Sequence, residues 1–185
     1  MAGRRLLVIG AVLLAAVVLG GAALHWMMQD NSDVIPPPLP GVVRYDVTNA
    51  REHIDGEVRY PQTPPVGGAH HGDWQNCGFY SEPVRSENAV HALEHGAVWI
   101  TYREPLADSD RQALTEIARS NDYVLVSPYP GLPTPVVVSA WRHQLRLGRL
   151  DRVRVDEFVR VFSGGTTAPE PHGSCQGGVG EPDAG

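Results

Sequence analysis

Glu87-Asn88-Ala89-Val90-His91-Ala92-Leu93-Glu94-His95-Gly96-Ala97-Val98-Trp99-Ile100-Thr101-Tyr102 is the stretch on which the fold turns. Ser86 is a suitable N-cap for a short helix from Glu87 to His95, and Gly96 suits the left-handed residue after it. Ala97 to Tyr102 then reads as a strand. Further on, Asp108 or Ser109 caps a helix to Ser120 whose apolar stripe is Ala113, Leu114, Ile117 and Ala118. Tyr123–Ser127 is a short buried strand bounded by Pro128, and Tyr129 to Pro133 is a rigid turn. Val136–Leu147 reads as one strand, continuously apolar at first and alternating later. Val155, Phe158, Val159 and Phe162 have the spacing of a last helix. Before residue 86, short strands are expected at Val42–Tyr45 and Glu57–Tyr60. Residues 61–83 are punctuated by Pro and Gly and read as loop. The order helix, strand, helix, strand, strand, helix implies an α+β fold, a small mixed sheet with packed helices, behind one N-terminal transmembrane helix.

That anchor is read from Leu6 to Leu24, 19 residues without a charge or a strongly polar side chain. A run of about 20 residues spans a bilayer core as a helix. Arg4 and Arg5 precede it and no basic residue follows until Arg44, which places the N-terminus in the cytoplasm. A cleaved signal peptide would have a shorter apolar region and a cleaner small-residue site than Gly20-Gly21-Ala22-Ala23. The domain map is therefore residues 1–28 as cytoplasmic N-terminus and anchor, 29–43 as a Pro-rich stalk, 44–176 as an extracytoplasmic α+β domain and 177–185 as a flexible tail. The membrane is contacted through residues 6–28.

The chain has 15 Arg, no Lys and 21 acidic residues, for a net charge of −6. All the acids lie beyond residue 29, so the part after the apolar run carries 13 Arg against 21 acids, a charge of −8. Such a domain repels phosphate backbones, and nucleic acid is not an expected partner. Export also gives Cys77 and Cys175 a meaning. An even pair in an oxidising compartment is a disulfide by default, closing a loop of nearly a hundred residues. The rival reading makes Cys77 a metal thiolate beside His70 and His71.

The sharpest chemistry is His91-Ala92-Leu93-Glu94-His95. On a helix the two histidines are i and i+4 on one face and converge on one ion, with Glu94 bordering that face and Glu87 extending it. Two imidazoles with a carboxylate suit a divalent transition metal such as Zn or Cu. His70, His71 or His53 would add a nitrogen from loops, and His172 would come near if the disulfide forms. With only three Met residues, at 1, 27 and 28, a soft Cu(I) shuttle is disfavoured. The order H-x-x-E-H is also that of inverted zinc peptidases, in which Glu94 would be the general base. Ser139 lacks a nucleophile elbow, and Trp74, Trp99 and Trp141 read as core before ligand cleft.

The segments Pro64 to His71, Asn76-Cys77-Gly78-Phe79-Tyr80, Glu87 to Tyr102, Tyr123 to Pro133, Ser139-Ala140-Trp141 and Ala168 to Cys175 resemble an uncharacterised bacterial family, a domain of unknown function usually found behind one membrane helix. The resemblance covers roughly residues 44–176. It implies a membrane-anchored extracytoplasmic domain and a Cys77/Cys175 pairing, and it carries no activity. The expectation is a single-pass envelope protein with a metal site on His91, His95, Glu94 and a loop histidine, His70 or His71. The alternatives are a non-catalytic envelope interaction module with structural histidines, or a metal-dependent hydrolase.

Overall fold

A computed structural model describes residues 39–48 and 52–183. The expected anchor and residues 29–38 of the expected stalk lie outside the described residues, and the end of that stalk already enters the first strand, Val42–Arg44. Among the described residues, no helix is long and apolar enough to cross a membrane. The elements in chain order are β1 (Val42–Arg44), β2 (Gly78–Phe79), α1 (Ser86–Glu94), β3 (Val98–Tyr102), α2 (Asp108–Ser120), β4 (Val124–Pro128), β5 (Val136–Ala140), β6 (His143–Leu147) and α3 (Arg152–Phe162). The strands form one mixed sheet in the order β1-β6-β5-β3-β4-β2. Strand β3 runs parallel to β4 and antiparallel to β5, pairing Ile100 with Val126 on one side and with Val138 on the other.

The continuous apolar run of β3 is explained by burial on both faces. Val98, Ile100 and Tyr102 join Leu114 and Ile117 of α2 and Val155, Phe158 and Phe162 of α3 in one core. Trp99 and Leu125 point the other way and pack with Ala89, Val90, Ala92 and Leu93 of α1. One helix therefore covers one face and two helices cover the other, which is the expected α+β class. Two polar side chains that β3 sends to the α1 side are paired: Trp99 Nε1 donates to Ser127 Oγ at 3.0 Å, and Thr101 Oγ1 donates to Val137 O at 3.0 Å.

Several local expectations are corrected. The expected single strand Val136–Leu147 is a hairpin, β5 and β6 joined by Trp141 and Arg142, with Arg142 at φ 64°. No Gly, Asn or Asp marks this turn. Ser86 lies inside α1, preceded by Arg85 without a side-chain cap. Glu57–Tyr60 is not a strand: the Val58 N–H finds its acceptor in Glu87 Oε1, at 2.8 Å, rather than in a neighbouring strand. The expected loop 61–83 contains β2, which pairs in parallel with β4. Residues 178–183, expected to have little to bury, are bonded to the domain: Val179 N donates to Trp74 O at 2.8 Å and Asp183 N to Phe79 O at 2.8 Å.

Candidate metal centre

Helix α1 places His91 and Glu94 on the side away from the sheet, while Val90 and Leu93 are buried in the core below. A second segment, residues 64–77, crosses above the helix. Gln144 Nε2 of β6 donates to Pro64 O at 3.0 Å, and Arg142 N donates to Val66 O at 2.7 Å, so the hairpin holds this segment. Gly67, at φ 139°, passes so near Trp141 that a Cβ would lie 3.2 Å from its ring, a close approach that glycine permits. The segment delivers His70. His70 N then donates to Glu52 O at 3.0 Å and Ile54 N to His70 O at 2.8 Å, a parallel bridge that sets His53 beside His70.

The result is a four-group cluster. One ligand atom from each of His53, His70, His91 and Glu94 lies within 4.8 Å of the others. His70 is 0 % exposed, Glu94 2 % and His91 4 %, whereas His53 faces solvent. The His53 and His91 rings stack at 5.0 Å between centroids, and His70 and His91 are 4.8 Å apart.

The ring tautomers follow from the backbone. His70 Nδ1 lies 2.8 Å from Gly68 O, and His91 Nδ1 lies 2.8 Å from His71 O. A carbonyl only accepts, so both Nδ1 atoms carry a proton, and in the neutral rings both Nε2 atoms keep a lone pair. A backbone carbonyl on the far nitrogen is the usual way a metal-binding imidazole is oriented. His70 Nε2 lies 2.9 Å from Glu94 Oε2, yet neither His70 Nε2 nor Glu94 Oε1 has a hydrogen-bond partner among the described residues. A lone pair against a carboxylate oxygen at that distance is repulsive. The pair is stable either as an imidazolium beside a carboxylate or with a cation between them.

Burial pushes the His91 pKa down to about 4, and repulsion from His70, His95 and His53 adds to this against the bond to His71 O. Burial pushes Glu94 up, but the contact with His70 and the charge of His91 and His53 outweigh it and leave the carboxyl below its ordinary value. At neutral pH His91 is thus a neutral ring and Glu94 an anion, the states a metal requires. Three nitrogens and one oxygen suit Zn²⁺ or Cu²⁺ better than Ca²⁺ or Mg²⁺, which take oxygen ligands.

Of the residues expected at this site, the structure brings together His70, His91 and Glu94. His71 contributes its carbonyl rather than its ring: its Nδ1 accepts from Asp73 N at 2.9 Å, so that nitrogen is already used. His95 ends the helix with its ring 4.5 Å from that of His91, but its Nδ1 donates to Ser174 O at 2.7 Å and its Nε2 faces Glu170 Oε2 at 3.7 Å. Glu87 is engaged by Val58 N and Arg85 Nε. His172 stands by Tyr123 and does not join the group. Cys77 and Cys175 form a disulfide, with Cα atoms 5.3 Å apart, so Cys77 is not a thiolate ligand. His53, one of several loop donors from sequence, joins through the bridge to His70, a pairing that no local spacing announces. Glu94, which a peptidase would hold back as its base, is itself one of the converging groups.

Residues 53–177 match the family model described as protein of unknown function (DUF3105), and the chain belongs to that family. No curated protein and no solved structure matches the chain.

Proposed function

We propose that this is a metal-binding domain of the cell envelope, anchored through residues 6–28, that holds one Zn²⁺ or Cu²⁺ ion on His53, His70, His91 and Glu94. The observation that carries the reading is the His70–Glu94 contact: two buried groups 2.9 Å apart, with unpartnered atoms and two further imidazoles converging on them. Around a tetrahedral ion with bonds of about 2.0–2.1 Å, ligand atoms sit about 3.4 Å apart. Binding therefore draws the more distant atoms inward while His70 Nε2 and Glu94 Oε2 move slightly apart, and the exposed His53 has the most room to follow. Glu94 inside the ligand set favours binding or sensing over hydrolysis, because a carboxylate that ligates the ion is not free to act as the base.

The full chain, purified in detergent and titrated with Co²⁺, is expected to take up about one equivalent and to show the visible absorption of a four-coordinate site. His70→Ala, His91→Ala and Glu94→Gln are each expected to weaken affinity at least about 100-fold, as loss of a ligand exceeds the 10–100-fold typical of outer-shell changes. A wild-type chain that binds no ion at micromolar Co²⁺ or Zn²⁺ defeats the reading. The cluster would then be a buried imidazolium–carboxylate pair of structural use.

A further inference from the structure

We infer that residues 169–180 are a strap that sets the affinity of this centre, and that the Cys77–Cys175 disulfide is the lock on the strap; the inference rests on the metal-binding reading. The wall of the site beside His91 is made by His95 and Trp74. Their rings lie 4.5 and 5.7 Å from that of His91, and 4.9 Å from each other. The strap grips that wall. Ser174 O accepts from His95 Nδ1 at 2.7 Å, Glu170 N donates to the backbone carbonyl of the ligand Glu94 at 3.1 Å, and Glu170 Oε2 faces His95 Nε2. Gly173 runs so close under the ring that a Cβ there would stand 2.6 Å from His95 Cγ. Val179 N donates to Trp74 O at 2.8 Å.

The disulfide joins the strap to the segment that carries the other half of the site. Cys77 ends the run that supplies the His70 ring, the His71 carbonyl holding His91, and Trp74. Cys175 follows Ser174 directly, and Cys77 N donates to Cys175 O at 2.8 Å. Cys77 thus lies six residues beyond the carbonyl that orients the ligand His91, and Cys175 lies next to the carbonyl that holds His95 in the wall of the site. With the bond intact, the strap cannot leave without carrying the 70–77 segment with it. With the bond broken, only non-covalent contacts hold it, among them Gln176 Nε2 donating to Cys77 O at 3.0 Å and Asn76 Nδ2 to Gly180 O at 2.8 Å, and a segment without its covalent tie opens locally at a lower free-energy cost. An external dithiol would reduce the disulfide with two electrons and two protons, giving two thiols and its own disulfide. The ion would then be held less tightly.

Co²⁺ affinity of the full chain in detergent, measured by competition with a chromophoric chelator, tests this. Cys77→Ser with Cys175→Ser is expected to bind at least tenfold more weakly than wild type with the same stoichiometry. Unchanged or tighter binding overturns the lock. Should the double variant not fold, Gly173→Val decides: it keeps the disulfide, displaces the strap at His95, and is also expected to lose at least tenfold, and unchanged affinity overturns the strap. A wild-type chain that takes up no Co²⁺ fails at the metal-binding reading instead, so the two failures are told apart.

Discussion

A proton on His91 would sit among three other imidazoles with little water to shield it, and the ring's low pKa is the consequence. This has a definite sign in the metal-free protein. The unfolded ring titrates at 6.5 and the folded one at about 4, so between these values the unfolded chain binds more protons. The contribution of His91 is therefore full above pH 6.5, is lost progressively as pH falls to about 4, and totals about 3 kcal/mol at most. His143, lowered chiefly by its own burial and further by Arg44 and Arg142, acts with the same sign below 6.5. Glu94, being depressed, is lost only as pH falls below its ordinary 4.5 and through its lower folded value, so it adds at the acid end. Urea unfolding of the chelator-treated chain should show falling stability from pH 7 to 4.5. His91→Gln should flatten that slope by its share, with His143→Gln flattening it further. An unaltered slope in His91→Gln would mean that this ring is not the group held neutral.

Where α1 gives way to β3, the chain turns on Gly96 at φ 102°, and its N–H bonds to Leu93 O. A Cβ there would stand 2.6 Å from Gly165 N and 2.7 Å from Gly164 C, both backbone atoms with no freedom to retreat. Gly96→Ala combines an unfavourable backbone region, about 1–3 kcal/mol, with a main-chain clash. The expected loss is at least about 2 kcal/mol, read as a lower urea midpoint at constant m value; a midpoint within error of wild type would show that the contact yields freely. This junction was legible because two strong local signals, a helix-stop glycine and an apolar run, meet within a few residues. The β5–β6 hairpin was not, because its turn is Trp141-Arg142 and Arg142 adopts a left-handed φ without a residue type that favours it. The site divides in the same way. His91 and Glu94 are three apart on one helix and were readable from spacing, as was the availability of a histidine at 70 or 71. Which of those two faces the helix depended on hydrogen bonds to Glu52 and Gly68, and His53 arrives by a bridge between loops. Such pairings leave no period in the sequence.

At the scale of the whole molecule, the disulfide fits an oxidising compartment, and the apolar run from Leu6 to Leu24 is the basis of the proposed export. Cys77 and Cys175 are separated by 98 residues, and closing a loop of that length stabilises a domain by about 4–5 kcal/mol in the chain-entropy model. That is a large part of the 5–15 kcal/mol typical of a folded domain, and it is present only where thiols oxidise. A domain placed in the reducing cytosol would lose this contribution, and by the argument above would hold its ion less tightly. The proposed export behind residues 6–28 would answer both needs at once. The expected outcome in cells is a chain that stays with membranes through alkaline carbonate washing and whose C-terminal domain is cut by protease applied from outside. Its two cysteines should react with a maleimide only after reduction of the denatured protein. Recovery of the intact chain in the soluble cytosol, with both thiols labelled directly, would remove the anchor and the lock together. It would leave the His53, His70, His91 and Glu94 cluster to be explained as a metal site of a reduced protein, one that holds its ion without the strap fastened.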